Sequence, residues 1–223
     1  MSGVFVAGTD TGVGKTLVAS ALLYALRKQY ALVVGMKPVS AGAMLLDGAW
    51  QSDDAIQLRA ASSFSSEPEL DNPYCLKTAT SPHLAAQLDG VDIAIDHIVK
   101  CYCQLTWRAD VVVVEGAGGL LVPLNQTETG ADLAQALALP VVLVVGLRLG
   151  CLNHAVLTAE AIRSRGLTLA GWICNRVDPE MLGQDENIAY LKAHLHAPML
   201  ADIQHMESPD ASAVEIQLPT HWL

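Results

Sequence analysis

The hydrophobic positions of this chain fall into short unbroken runs that are separated by longer stretches of mixed character. Five runs are made almost entirely of aliphatic residues, and they occupy positions 4–7, 32–36, 111–114, 141–145 and 169–173. A run that is apolar on both faces is typical of a strand buried on both sides of a parallel sheet. The pattern therefore predicts five buried parallel strands.

The stretches between the runs predict helices at 15–28, about 92–106, 131–139 and 152–165. In the first of them one apolar stripe at helical spacing is formed by Val18, Ala21, Leu22, Ala25 and Leu26. Regular alternation of strand and helix predicts an α/β protein with a doubly wound, mainly parallel sheet and helices on both faces. In such folds the functional site lies at the carboxyl ends of the strands.

Length and composition favour one domain with an aliphatic core. The 223 residues suit a single α/β domain spanning 1–223, and 52% of them are hydrophobic while only 5% are aromatic. The polar segment 62–82, with three prolines and many serines, predicts a long loop on the substrate side.

Charge and cysteine usage exclude several classes of protein. Thirteen basic and 23 acidic residues give a net charge of −10, so no surface for nucleic acid is expected. No apolar run approaches the roughly 20 residues that span a bilayer, and no secretory leader pattern is present. Five scattered cysteines predict reduced thiols in a cytoplasmic protein.

The most informative stretch is residues 8–16, "GTDTGVGKT", which lies between the first predicted strand and the first predicted helix. Gly12 and Gly14 allow the backbone amides to turn inward, and the helix adds its positive amino-terminal end. Lys15 can reach the β- and γ-phosphates of a nucleotide, and the Thr16 hydroxyl can bind Mg²⁺. The strict pattern G-x4-G-K-S/T is missed by one place, because Thr9 occupies the first glycine position. We interpret the segment as a phosphate loop and the fold as of the P-loop NTPase type.

Two carboxylates are candidates for the metal that accompanies a nucleotide. Glu115 ends the run "VVVVE", where an unpaired buried carboxylate would be costly but a metal ligand would not. The alternative is a solvent-exposed glutamate at a strand end. Asp54, in "QSDDAIQL", begins a probable helix, and its alternative role is that of an acidic residue in the first helical turn.

Two further segments suggest anion binding. Lys37, in "GMKPVSAG", follows the second strand, where a bound anion or an ordinary surface lysine would each account for it. The turn 150–153, between strand and helix, would offer free amides to an anion unless Asn153 simply caps the helix.

The fifth strand ends in "ICNRVDP", which suggests recognition of a nucleotide base. An asparagine at Asn175 can pair with the edge of adenine. The run from Asn175 to Asp178 also approximates the NKxD motif of guanine-specific proteins, with Arg176 in place of lysine. Spacing alone leaves both bases open.

Taken together, the motifs resemble the dethiobiotin synthetase family over nearly the whole chain. The landmarks, in order, are "GTDTGVGKT", "GMKPV", "SDDA", "NPY", "TSPH", "VVVVEGAGG", "LPVVLVVG", "LGCLNHA" and "LAGWICNRV". The resemblance implies ATP- and Mg²⁺-dependent carboxylation of 7,8-diaminononanoate with CO₂ and closure of a ureido ring. A carbamate and a carbamoyl–phosphate anhydride would be the intermediates, and ADP and phosphate would be released. It also implies a homodimer.

The same resemblance implies roles for individual residues. Lys37 and Lys15 would be catalytic, and the metal would be held by Thr16, Asp54 and Glu115. The nucleotide would be bound by Gly12, Val13, Gly14, Lys15, Thr16, Leu17, Asp54, Glu115, Gly116, Ala117, Gly118, Asn175, Arg176 and Gln204. The diamine would be bound by Thr11, Lys37, Ala41, Gly118, Gly150, Cys151, Leu152 and Asn153, the last four serving the other subunit of the dimer.

Three positions depart from the family pattern. Ala41 stands where a serine is common, Gly12 stands where some relatives carry a side chain, and "ADIQHM" lacks the proline that often follows its isoleucine. Two other classes of ATP-dependent protein share the phosphate loop. A MinD- or ParA-like switch ATPase would carry an additional lysine at the start of the loop, and an amidotransferase synthetase would need room for a glutaminase domain.

Overall fold

The computed structural model describes residues 3–219. The strands are β1 (Gly3–Gly8), β2 (Val33–Met36), β3 (Val39–Ala41), β4 (Met44–Leu46), β5 (Ala49–Gln51), β6 (Tyr74–Leu76), β7 (Val111–Gly119), β8 (Val141–Gly146), β9 (Leu169–Asn175) and β10 (Met199–Ile203). The helices are α1 (Lys15–Leu26), α2 (Asp53–Ala61), α3 (Pro68–Asp71), α4 (Pro82–Asp89), α5 (Ile95–Thr106), α6 (Gly130–Leu137), α7 (Cys151–Ser164) and α8 (Gln184–His194).

Six strands form one parallel sheet in the order β10-β9-β8-β1-β7-β2. The five predicted strands are all present, and β7 runs five residues further than predicted, to Gly119. Strand β10 was not predicted. Its run of apolar residues is interrupted by Asp202, and as an edge strand it is only partly buried, so its pattern is weaker than that of the central strands.

The sheet is covered by helices on both faces, which explains the unbroken apolar runs. Along β7, Val111 and Val113 pack into one hydrophobic cluster with Leu22 of α1, whereas Val112 and Val114 pack into another on the opposite face. Alternate residues of a strand point to opposite faces, so a strand covered on both sides requires apolar residues throughout.

The segment 62–82 is not one long loop, so that prediction was wrong in part. It contains the short helix α3, which begins at Pro68, and the strand β6, which pairs in parallel with β3. Proline suits the first position of a helix because it has no amide hydrogen to leave unpaired. Residues 79–82, at the end of the segment, line a cavity at the rim of the sheet.

In residues 3–219 no helix has the length and apolar character that crossing a membrane requires.

Candidate active site

The phosphate loop lies between β1 and α1, at the carboxyl end of a central strand. Gly12 and Gly14 have φ values of 72° and 89°, in the left-handed region that glycine tolerates. Gly14 is the residue before the first turn of α1, so the loop opens directly onto the helix amino terminus. Lys15 Nζ donates to the backbone oxygen of Asp10 at 3.1 Å, and the side chain is only 7% exposed. The lysine therefore bends back over the loop, towards the place where phosphates would lie.

Four side chains from four separate parts of the chain meet beside this loop. Thr16 Oγ1 donates to Asp54 Oδ1 at 2.9 Å and lies 3.0 Å from Glu115 Oε1. Lys37 Nζ lies 2.5 Å from Glu115 Oε1 and 2.7 Å from Asp54 Oδ2. The residues are brought together because β2 and β7 are neighbours in the sheet, while α2 packs against both β2 and α1.

Burial sets the electrostatics of this cluster. Glu115 is 1% exposed and Lys37 is 3% exposed. Both side chains are therefore buried, and the alternatives of a solvent-exposed glutamate and an ordinary surface lysine do not apply. Burial disfavours the charge of Lys37, but the carboxylates of Glu115 and Asp54 prevail and hold its pKa above the ordinary value. Burial likewise opposes ionisation of Asp54, yet the charge of Lys37 lowers the pKa of that carboxyl.

The two remaining buried groups are shifted by desolvation. Burial raises the pKa of Glu115, against the opposing charge of Lys37. Burial and the neighbouring ammonium of Lys37 lower the pKa of Lys15 to about 8. Together these groups form a compact site of alternating charge in which an added anion would meet two lysines.

The donor set suits a divalent cation. The Thr16 hydroxyl and the carboxylates of Asp54 and Glu115 are hard oxygen ligands of the kind Mg²⁺ prefers. The second oxygen of Glu115, Oε2, is buried without a hydrogen-bond partner, and a metal ion would satisfy it. Within residues 3–219 no three His, Cys, Asp or Glu side chains cluster as metal ligands. Two carboxylates with a hydroxyl nevertheless fit Mg²⁺, which is commonly bound by one or two carboxylates plus phosphates and water.

A cavity of about 720 Å³ opens beside the charged cluster. Of the residues predicted to contact nucleotide or diamine, it is lined by Thr11, Gly12, Gly14, Lys15, Thr16, Lys37, Ala41, Asp54, Glu115, Ala117 and Gly118. The wall is completed by residues 79–82, from the segment predicted to lie on the substrate side, and by Val39, Ser40 and Val122, which were not predicted. Gly116 lies behind the cavity, where its oxygen lies 3.3 Å from Lys37 Nζ.

The turn 150–153 does not line this cavity in its own chain. Helix α7 begins after Gly150, whose φ is 95°, and no side chain caps its first turn, so Asn153 is not the cap that was considered as an alternative. Cys151 is buried and packs in the core, and its amide donates to the backbone oxygen of Arg148 at 3.0 Å. A contact from Arg148 to the carboxylate of Asp10 joins this turn to the phosphate loop.

A second cavity, of about 240 Å³, lies on the other side of the phosphate loop. Its lining includes the predicted residues Gly12, Gly14, Leu17, Asn175, Arg176 and Gln204, together with Val177, His205, Met206 and Pro209, which were not predicted by number. Asn175 Nδ2 donates to the backbone oxygen of Val13 at 3.0 Å, which fixes the amide against the loop. The dimensions and position suit a nucleotide base.

The side chains of Arg176 and Asp178, close to Asn175 in the chain, bind other protein groups. The guanidinium of Arg176 binds both carboxylate oxygens of Asp202, at 2.9 and 2.8 Å, and also Asp185 at 2.7 Å. These partners hold its charge in an ion-pair network beside the cavity. Asp178, the residue of the guanine-type alternative, accepts a hydrogen bond from the Glu180 amide and does not line the cavity. This geometry favours the adenine alternative.

Comparison with known proteins agrees with these features. A family model described as an AAA domain matches residues 2–213. The ATP-dependent dethiobiotin synthetase of Aromatoleum aromaticum is 54% identical over 216 residues, which cover 96% of this chain and 95% of that protein. The chain belongs to the dethiobiotin synthetase family. The family resemblance read from its motifs is thereby confirmed.

Solved structures of more distant proteins share the fold of this synthetase family member. A ParA family ATPase from Chlorobium tepidum has a TM-score of 0.55 and 17% identity, covering 92% of this chain and 85% of its own. The cell division protein FtsY of Thermotoga maritima has a TM-score of 0.57 and 15% identity, covering 96% and 64%. At such identities the similarity shows the fold alone, and it confirms the predicted α/β fold with a mainly parallel sheet.

Proposed function

We propose that this protein is an ATP- and Mg²⁺-dependent cyclo-ligase that converts 7,8-diaminononanoate and CO₂ into dethiobiotin in biotin biosynthesis, releasing ADP and phosphate. Membership of the dethiobiotin synthetase family supports an ATP-dependent ligase that forms C–N bonds. The observation that carries the proposal within the structure is the position of Lys37. Its ammonium group lies between Glu115 and Asp54, beside the phosphate loop and on the wall of the larger cavity.

The nucleotide would bind across the phosphate loop. We place the phosphates against the loop amides, Lys15 and the amino terminus of α1, and the adenine in the smaller cavity beside Asn175 and Gln204. Thr16, Asp54 and Glu115 would hold Mg²⁺, which when bound supplies charge neutralisation for the terminal phosphates. Arg176 would contribute its backbone to this cavity, since its guanidinium is held by acidic partners.

The diamine would occupy the larger cavity, with its amino groups near Thr11, Lys37 and Gly118. Once one amine has combined with CO₂, the carbamate is already an anion, so no general base is needed for its attack on the γ-phosphorus. The bond between the γ-phosphorus and the bridging oxygen breaks, and ADP leaves. Lys15 and Lys37 stabilise the two anions that must approach each other, as fixed cationic groups do in phosphoryl transfer.

The second amine then attacks the carbonyl carbon of the carbamoyl–phosphate anhydride. The ureido ring closes as the bond between that carbon and the phosphate oxygen breaks, and inorganic phosphate leaves with the proton that the amine gives up. No Ser–His or Cys–His nucleophile is required by this sequence of steps. Lys37 lies where it can stabilise both the phosphoryl group during its transfer and the phosphate as it departs.

The carboxylate end of the diamine would be bound across a homodimer, by the turn 150–153 of the other protomer. The family resemblance supports this. The amides of Leu152 and Asn153, in the first turn of α7, form the kind of helix amino terminus that binds carboxylates. We further propose a cytoplasmic enzyme, because all five cysteines are free thiols.

Product detection tests the proposal directly. The protein is incubated with diaminononanoate, ¹³C-bicarbonate, ATP and Mg²⁺, and dethiobiotin carrying the label is sought by mass spectrometry. ATP consumption should depend on both the diamine and bicarbonate. Brisk ATP hydrolysis without the diamine, and no labelled product with it, would instead favour a nucleotide-switch ATPase of the ParA type.

A further inference from the structure

The backbone of Lys37 is held on both sides by two consecutive residues that have no part in the proposed chemistry. The amide of Lys37 donates to the backbone oxygen of Asp71 at 2.7 Å. Asn72 Nδ2 donates to the backbone oxygen of Lys37, also at 2.7 Å. Both contacts cross from the end of α3 to the residue that follows β2, over 30 positions away in the chain.

Asn72 is itself fixed by buried contacts. It is 5% exposed, and its amide group lies 3.1 and 3.2 Å from Ser40 Oγ through Nδ2 and Oδ1. Ser40 belongs to β3, which pairs with β6, the strand that begins two residues after Asn72. A buried amide is retained when its hydrogen bonds are satisfied, and here its partners are the backbone oxygen of Lys37 and the hydroxyl of Ser40.

Asp71 connects the same segment to the helix that carries Asp54. The Asp71 carboxylate is 98% buried, and Arg59 of α2 binds it in a bidentate pair, with Nη2 to Oδ1 at 2.6 Å and Nε to Oδ2 at 2.8 Å. Ser66 Oγ donates to the same carboxylate at 2.6 Å. A bidentate guanidinium–carboxylate pair fixes orientation as well as distance.

We infer that Asn72 is a positioning residue for the catalytic lysine: with Asp71 it clamps the backbone of Lys37 so that the ammonium group stays aligned with Asp54 and Glu115. This inference rests on the proposed function. It also gives a role to Asn72 of the "NPY" motif (residues 72–74), which lines neither the proposed nucleotide site nor the proposed diamine site. The task needs a side-chain donor at this position. A lysine side chain has four rotatable bonds, so its tip is precisely placed only when the backbone is fixed and the tip is paired.

The decisive variant is Asn72→Asp, which keeps the shape but replaces the donor to the Lys37 carbonyl with a carboxylate oxygen. The matched control is Asn125→Asp, because Asn125 Nδ2 likewise donates to a backbone oxygen, that of Ile93 at 2.9 Å, and does not line the larger cavity. Product formation, the KM for ATP, the Kd for ADP and the melting temperature are measured for wild type and both variants.

For Asn72→Asp we expect kcat to fall by about 10- to 100-fold with the KM for ATP and the Kd for ADP little changed, because misplacing a reacting group by about 1 Å can cost that much. Asn125→Asp should retain the wild-type kcat whatever its melting temperature. Full kcat in Asn72→Asp, or a loss of kcat matched in Asn125→Asp, would overturn the inference.

Two further results keep the test decisive. If Asn72→Asp fails to fold, Ser40→Ala takes its place, because it removes the hydroxyl that pairs with the Asn72 amide. This variant should lower kcat several-fold while the Kd for ADP stays unchanged. An unchanged kcat would overturn the inference. If the wild-type protein forms no dethiobiotin, the proposed function is refuted, and so is the role of Asp71 and Asn72 in positioning Lys37 for catalysis. Active wild type with a fully active Asn72→Asp would refute the clamp alone.

Discussion

Lys37 Nζ lies 2.5 Å from Glu115 Oε1, although 78 positions separate the two residues in the chain. They meet because β2 and β7 pair in parallel with Met36 opposite Val114, so that the next residues of the two strands, Lys37 and Glu115, lie side by side. A buried ammonium beside a buried carboxylate is stable only while both are present, since either one alone would be an uncompensated charge.

Replacement of Lys37 by alanine should lower kcat by at least about 10²-fold, the loss typical of removing one group that stabilises charge in a transition state. The variant should still bind ADP, because the phosphate loop is intact. Labelled dethiobiotin formation and ADP binding are the measurements, with Lys100→Ala on the exposed surface of α5 as the control.

Removing the lysine also leaves Glu115 unpaired, so the melting temperature of Lys37→Ala should fall. A double variant, Lys37→Met with Glu115→Gln, removes both charges and should recover much of that stability while remaining inactive. Substantial turnover by Lys37→Ala would show that the lysine is not catalytic.

Replacement of Thr16 by valine should raise the Mg²⁺ concentration needed for half-maximal activity by about 10-fold or more, since it deletes one of three oxygen ligands in the predicted metal site. A magnesium titration of the initial rate measures this. Thr106→Val, whose hydroxyl donates only to the Cys103 oxygen, is the matched control and should titrate like wild type. An unaltered magnesium requirement in Thr16→Val would argue against a ligand role.

Alanine at two glycines of the phosphate loop should have unequal effects. A Cβ at Gly14 would lie 2.2 Å from Asn175 Nδ2, whereas a Cβ at Gly12 would meet nothing within 4 Å. Both positions have positive φ, so both variants carry similar backbone strain of about 1 kcal/mol. Gly14→Ala should therefore weaken ADP binding by more than about 10-fold, and Gly12→Ala by much less. Equal Kd values for the two variants would mean that Asn175 does not shape the nucleotide site.

Nucleotide affinity should fall as the pH rises above about 8. Lys15 in the free protein has a pKa lowered to about 8 by burial and by Lys37, and bound phosphate would raise that pKa again. The free protein loses the proton above this pH and must take it up on binding, so affinity declines by up to about 10-fold per pH unit. Calorimetry of ADP binding near pH 8.5 in two buffers of different ionisation enthalpy should show proton uptake. Lys15→Arg, which stays charged, should show none, and an uptake equal to that of wild type would assign the proton to another group.

The base preference should depend on Asn175 and not on Asp178. Asn175→Ala should lose much of the discrimination between ATP and GTP, because the amide lies in the smaller cavity. Asp178→Asn should keep the wild-type ratio, since that carboxylate holds a backbone amide nearby. The ratio of kcat/KM for the two nucleotides at saturating diamine is the measurement, and the opposite pattern would favour the guanine alternative.

The sequence by itself determined the α/β class, five of the six strands of the main sheet and the phosphate loop. These features are local, because a strand covered on both faces needs an unbroken apolar run and a loop around phosphate needs glycine at positions such as Gly14. It also identified the residue types that gather at the site. The edge strand β10 and the division of segment 62–82 were missed, since weak or partly exposed elements leave weak patterns.

Only the tertiary structure decided which of these residues meet and how they are paired. The position of Lys37 between Glu115 and Asp54, the engagement of the Arg176 guanidinium and the contact of Asn72 with the Lys37 backbone depend on strand order and register. Such contacts join positions far apart in the chain. No local periodicity encodes them, because they arise when several independently formed elements pack at one edge of the sheet.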